Sequence, residues 1–159
     1  MRKFFSVLTA AVLLLGVCGC GIRENEQLPE AASEVTDIKD DLVIPINEVT
    51  ETAKFYPVTV EGTDMEVFAV RDSEGSIRTA FNTCQSCYTS GNGRYAVEGT
   101  DLVCQNCGFH FTADQVGANA NGGCSPWAIS AAERIDSEDT ITIPYSLLAG
   151  SKAIFANWK

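Results

Sequence analysis

Four cysteines stand in two C-x-x-C pairs, Cys84-Gln85-Ser86-Cys87 and Cys104-Gln105-Asn106-Cys107, with 16 residues between the pairs. A tight C-x-x-C turn points two thiolates and two backbone N–H groups at one place. Two such knuckles together offer four soft ligands, a set that suits tetrahedral zinc or iron, or an iron–sulfur cluster. The spacing also falls in the window of paired zinc knuckles. Gly108 follows the second pair, where a knuckle favours a residue that takes positive φ without strain. Two structural disulfides are the competing use of the same four cysteines if the compartment is oxidising. A thioredoxin-type redox pair is a third use, but such pairs open a helix, and neither pair here precedes a convincing one.

Cys124 lies apart, in the small-residue turn Gly122-Gly123-Cys124-Ser125-Pro126. It is a candidate additional or exchanging ligand, or a redox-active thiol, against the alternative of an inert buried cysteine. His110, the only histidine, sits between Phe109 and Phe111 and is either a ligand or a structural residue. Tyr88 follows Cys87, which excludes the C-x-x-C-H attachment of covalent haem. One histidine and no nucleophile elbow leave no hydrolase constellation, so no catalytic residue is assigned. If the chain is redox-active, it is an electron carrier or a thiol oxidoreductase.

The other two of the seven cysteines belong to the N-terminus. Arg2 and Lys3 precede an apolar stretch of 14 residues, Phe4 to Val17. That is shorter than the roughly 20 residues of a transmembrane helix and of the length of a signal-peptide core. Leu15-Gly16-Val17-Cys18-Gly19-Cys20 resembles a bacterial lipobox, with Val17 at −3 and Gly19 at −1 of Cys20. The expectation is a signal peptide over residues 1–19, carrying Cys18 away, and a lipid on Cys20. The anchor would hold the protein to the outer, extracytoplasmic face of the bacterial cytoplasmic membrane. Removing Arg2 and Lys3 takes the formal charge from −10 to −12. Either value disfavours nucleic acid and anionic lipid surfaces as partners, since both need a basic patch. Residues 20–42 then read as the lipidated cysteine and an acidic linker without apolar periodicity, too polar to bury a core of its own.

The elements that must position the cysteines lie in residues 43–159. Residues 43–46 form a candidate edge strand, because Pro45 lacks the N–H that a central strand needs. Strands are expected at 55–60 and 65–71, separated by the turn Glu61-Gly62-Thr63-Asp64. Asp72-Ser73-Glu74-Gly75 turns the chain into a third strand, which delivers it to Cys84. A further hairpin spans residues 94–103, through Glu98-Gly99-Thr100-Asp101. Thr112 and Gln115 have capping-box spacing for a single turn that Gly117 stops. A strand at 140–143 precedes Leu147, Leu148, Ile154, Phe155 and Trp158, whose spacing predicts a short C-terminal helix. The fold class is mostly β.

On three boxes the chain resembles the FtrD-like family of membrane iron–sulfur proteins, found beside bacterial iron-uptake components. The boxes are Thr79-Ala80-Phe81-Asn82-Thr83-Cys84-Gln85-Ser86-Cys87-Tyr88, Val103-Cys104-Gln105-Asn106-Cys107-Gly108, and Gly122-Gly123-Cys124-Ser125-Pro126. The resemblance implies that Cys84, Cys87, Cys104, Cys107 and Cys124 are the functional set, and that membrane iron-transport or redox proteins are partners. Larger members carry several transmembrane helices, for which a lipid on Cys20 would substitute here. Cys104-x-x-Cys107-Gly108-x-x-Phe111 is similar to a Rieske ligand box with cysteine in place of histidine. A small Rieske-like or rubredoxin-like β domain with metal knuckles is the architecture this implies, and an all-thiolate cluster would work at lower potential.

Arg2-Lys3 is not a twin-arginine signal, so export of an unfolded chain is expected. A cluster built in the cytoplasm would not survive that route, whereas zinc or mononuclear iron can be acquired outside. The sequence therefore points to a surface-anchored metal-binding lipoprotein, holding zinc, iron or an iron–sulfur cluster and accessory to electron transfer or iron uptake. A structural zinc module that contacts a partner protein, and a thiol–disulfide oxidoreductase using Cys124, are the rival readings.

Overall fold

A computed structural model describes residues 37–118 and 123–159. The expected signal peptide over residues 1–19, Cys20, residues 21–36 of the expected linker, and Gly122 lie outside the described residues. In chain order the strands are β1 (Leu42–Pro45), β2 (Lys54–Val60), β3 (Thr63–Arg71), β4 (Ile77–Cys84), β5 (Tyr95–Glu98), β6 (Asp101–Cys104), β7 (His110–Phe111), β8 (Pro126–Ile129), β9 (Ile135–Asp136) and β10 (Thr140–Ile143). One short helix, α1 (Tyr145–Gly150), follows. The domain is mostly β, as its sequence predicts. Its antiparallel sheets run β2-β3-β4-β8, β1-β10-β9 and β5-β6-β7.

The period-2 alternation of β3 makes the four-stranded sheet a middle layer. Met65, Val67 and Ala69 enter one core, where they meet Ile44, Ile141, Ile143 and Leu148 from β1, β10 and α1. Phe68 and Val70 point the other way, into a second core with Tyr95, Leu102 and Phe111 from the β5-β6-β7 sheet. β4 follows the same rule, with Phe81 in the first core and Ala80 in the second. Cys84, Cys87 and Cys104 belong to the second core.

The turns follow from local chemistry. Glu61 and Gly62 have φ of 48° and 76°, the two positive values that a two-residue hairpin turn requires. Pairing is continuous up to Val60↔Thr63, so Thr63 and Asp64 belong to β3 and not to the expected four-residue turn. Between β3 and β4, Asp72 accepts the Ser76 and Glu74 N–H groups at 2.7 and 3.1 Å and pairs with Arg78 at 2.8 Å. β1 is an edge strand, as Pro45 demands. Thr112 and Gln115 form the expected capping box, with Gln115 Oε1 accepting the Thr112 N–H at 2.9 Å. The helix expected at the C-terminus ends at Gly150, and a 3₁₀ turn over Lys152–Phe155 carries Phe155 edge-on against Phe81 and Trp158.

Residues 37–41, at the end of the acidic stretch, are tied to the domain. The Ile38 N–H donates to Thr59 O at 2.8 Å, Asp41 accepts the Tyr145 N–H at 2.8 Å, and Ile38 packs against the first core. One apolar residue, a backbone bond and aspartate side chains do this, which leaves no periodicity to read.

Two outcomes test this packing. Trp158 is 3% exposed and its indole N–H donates to Asn82 O. Trp158→Ala should therefore lower the unfolding free energy by about 3–5 kcal/mol in a denaturant titration. Burial opposes ionisation of Asp72, but Arg78 and the Ser76 and Glu74 N–H groups prevail and hold its carboxyl below the usual aspartate value. Its stabilisation is present above the unfolded-state pKa of about 3.9 and is lost as pH falls through the depressed folded value. Asp72→Asn should thus lower the melting temperature at pH 7, and the difference should shrink below about pH 4.

Candidate metal centre

Ala80 and Cys84 share the face of β4 turned toward the second core, and Asn82 between them is buried on that face. The Asn82 side chain donates to Tyr95 O at 3.2 Å and accepts the Tyr95 N–H at 2.7 Å, fastening β4 to the start of β5. The first knuckle begins where β4 stops. The Cys87 and Tyr88 N–H groups donate to Cys84 O at 3.2 and 2.9 Å. In the second knuckle, which begins where β6 stops, the Gly108 N–H donates to Cys104 O at 2.8 Å. Gly108 has φ of 71°, the conformation expected for it from the sequence.

Both knuckles surround their first sulfur in the same way: the Ser86 and Cys87 N–H groups favour the Cys84 thiolate, and the Asn106 and Cys107 N–H groups that of Cys104. The three cysteine turns are then stitched together. The Cys84 N–H donates to Gly93 O at 2.8 Å, and Asn92 Nδ2 donates to Gln105 O at 2.7 Å. On the other side, the Gln85 N–H donates to Ser125 O at 2.9 Å and Ser86 Oγ to Gly123 O at 2.8 Å. Tyr95, 2% exposed, donates its hydroxyl to Cys124 O at 2.9 Å.

The result is a cluster of five thiols. Cys84, Cys87 and Cys104 lie within 4.8 Å of one another, as do Cys87, Cys107 and Cys124. Cys124 Sγ is 3.0 Å from Cys107 Sγ and 3.6 Å from Cys87 Sγ. Cys124 is therefore part of the cluster and not a thiol buried elsewhere. Cys84 and Cys104 are fully buried, Cys87 is nearly so, Cys124 is half-buried and Cys107 is exposed. The group has a sealed inner side and one open edge. Both triangles could hold a metal ion.

The thiols differ in acidity as their surroundings dictate. Burial pushes Cys104 up to about 12, against the pull of the Cys107 and Asn106 N–H groups. Burial also acts on Cys84, but the Tyr95 hydroxyl and the Ser86 and Cys87 N–H groups outweigh it and hold this thiol below the usual value. Cys107, desolvated less, is likewise held down by Cys124 and the Phe109 N–H. Cys124 is pushed up, first by its contact with Cys107 and then by burial. Tyr95 is pushed far up by burial and by Cys84, so its hydroxyl stays a donor.

His110 is outside the cluster. Its exposed ring meets Asp101 at 3.2 Å on the surface of the β5-β6-β7 sheet. Of the residues that hold the cluster together, Asn82 lies in the first of the three boxes, whereas Gly93 and Tyr95 carry no motif of their own. A Cβ on Gly93 would lie 2.5 Å from Cys87 O and 2.8 Å from Tyr88 Cα. Gly93→Ala should therefore push the first knuckle out of place, lowering stability by about 1–3 kcal/mol and weakening metal binding with it. A variant with wild-type melting temperature and wild-type metal content would show that the close approach is unimportant.

The family described as membrane iron-sulfur containing protein FtrD-like matches residues 49–155. That span takes in both knuckles, Cys124 and the whole second core. No curated protein and no solved structure matches the chain. With two thirds of its length matched and all five clustered cysteines inside the match, the chain belongs to the membrane iron–sulfur containing FtrD-like family.

Proposed function

We propose that this protein is a metal–thiolate lipoprotein at the outer face of a bacterial cytoplasmic membrane. Its centre serves electron transfer or metal handling beside membrane proteins of iron uptake. The residues fit the group that the family description implies: iron–sulfur clusters and soft metal ions take cysteine thiolates, and the five present converge from three turns. Cys84, Cys87, Cys104 and Cys107 would hold it. Iron there would supply one-electron chemistry, and zinc a crosslink.

The observation that carries the reading is the one-sided exposure of the cluster. Cys84 and Cys104 are closed to solvent, while Cys107 is open. An electron partner or an exchanging ion has one edge to approach, and the opposite side is insulated by Phe68, Leu102 and Phe111. The rival structural zinc module draws support from the place of Cys84, Cys87 and Cys104 in the second core. The rival thiol oxidoreductase draws support from the 3.0 Å Cys107–Cys124 contact. Among the described residues no helix is long and apolar enough to cross a membrane. The lipid on Cys20 is the proposed attachment.

Metal analysis with a visible absorption spectrum, on protein purified anaerobically, separates these readings. Bound iron with visible colour supports the carrier, whereas colourless protein holding only zinc supports the structural module. Metal-free protein with its knuckle thiols oxidised would overturn both. Cys104→Ser should abolish metal binding and lower the melting temperature together, because site formation and folding are coupled. Unchanged metal content in that variant would count against the assignment. Cys20→Ala should move the protein from the membrane fraction to the soluble fraction, and an unchanged distribution would remove the lipid anchor from the account.

A further inference from the structure

Four thiolates complete a tetrahedral site, and this protein gathers five. The arrangement shows how the fifth is used. Among the described residues two groups of three thiols lie within ligand distance, Cys84–Cys87–Cys104 and Cys87–Cys107–Cys124, with Cys87 at the shared corner. A metal–sulfur bond of about 2.3 Å places three ligands roughly 4 Å apart around one ion. Both triangles, with sides within 4.8 Å, match that size.

We infer that the centre is binuclear: it takes two thiophilic cations, one in each triangle, with Cys87 Sγ shared between them. The inference rests on the metal-thiolate reading above and goes further, by assigning Cys124 as a ligand of the outer ion and Cys87 as the bridge.

Charge is consistent with it, because metal binding displaces the thiol protons and leaves five thiolates that together carry −5. One divalent ion leaves five thiolates at −3, and a second brings them to −1. The environments of the two triangles also differ. The inner one is wholly buried, while the outer one contains exposed Cys107 and half-buried Cys124. The outer ion should therefore exchange faster than the inner one.

Anaerobic titration of the reduced, metal-free full chain with Cd2+ tests this, followed through the sulfur-to-cadmium ultraviolet band and by metal analysis after gel filtration. The expected result is two Cd2+ per wild-type chain and one per Cys124→Ser chain. A chelator should remove one ion well before the other. Circular dichroism shows whether the variant is folded. If it is not, Cys107→Ser, which alters an exposed thiol of the same triangle, gives the same comparison. One Cd2+ per chain in wild type and variant alike would overturn the binuclear centre and leave the proposed function standing. No bound Cd2+ in a folded wild-type chain would overturn both.

Discussion

Cys84 and Cys104 have no exposed surface, and their sulfurs share a core with Phe68, Tyr95, Leu102 and Phe111. A thiolate in such a place is costly unless something of opposite charge or a set of hydrogen-bond donors meets it. The protein supplies backbone N–H groups beside the first sulfur of each knuckle. Among the described residues it pairs no Lys or Arg with a thiol. The arrangement is one that a bound cation completes. In its absence, burial holds Cys104 protonated at neutral pH, with its thiol pushed up to about 12.

The rest of the architecture follows from the need to seal that cluster on one side. β4 is buried at every position from Thr79 to Cys84, because one face serves the first core and the other leads to the cysteines. Asn82 fastens β4 to β5 with its side chain and to Trp158 with its carbonyl. The C-terminal turn is thereby part of the support for the first knuckle, and the Gly93 N–H donating to Trp158 O at 3.1 Å is a second tie. The first core therefore meets the cysteine cluster through β4 and Trp158.

Much of this was legible in the sequence, wherever a single segment carries its own signal. The β3–β4 and β5–β6 hairpins show alternation on both sides of a Gly turn, and the two C-x-x-C knuckles show their spacing. β7, β8 and β9 were not legible. Two of them are two residues long, and β8 exists because Trp127 and Ile129 find Phe81 and Thr79 across a long gap in sequence. Cys124 could be singled out as the odd thiol, but its 3.0 Å contact with Cys107 depends on how β8 docks. Tyr95 and Gly93 escaped notice for the same reason, since their roles are contacts and not patterns.

The central claim is that these clustered cysteines, and no other residue type, make up the inner coordination sphere of a bound metal. X-ray absorption at the metal edge of the anaerobically purified protein measures that directly. The account predicts a first shell dominated by sulfur at about 2.3 Å. A shell dominated by nitrogen or oxygen at about 2.0–2.1 Å, as ligation by His110 or carboxylates in place of the cysteines would give, would contradict it.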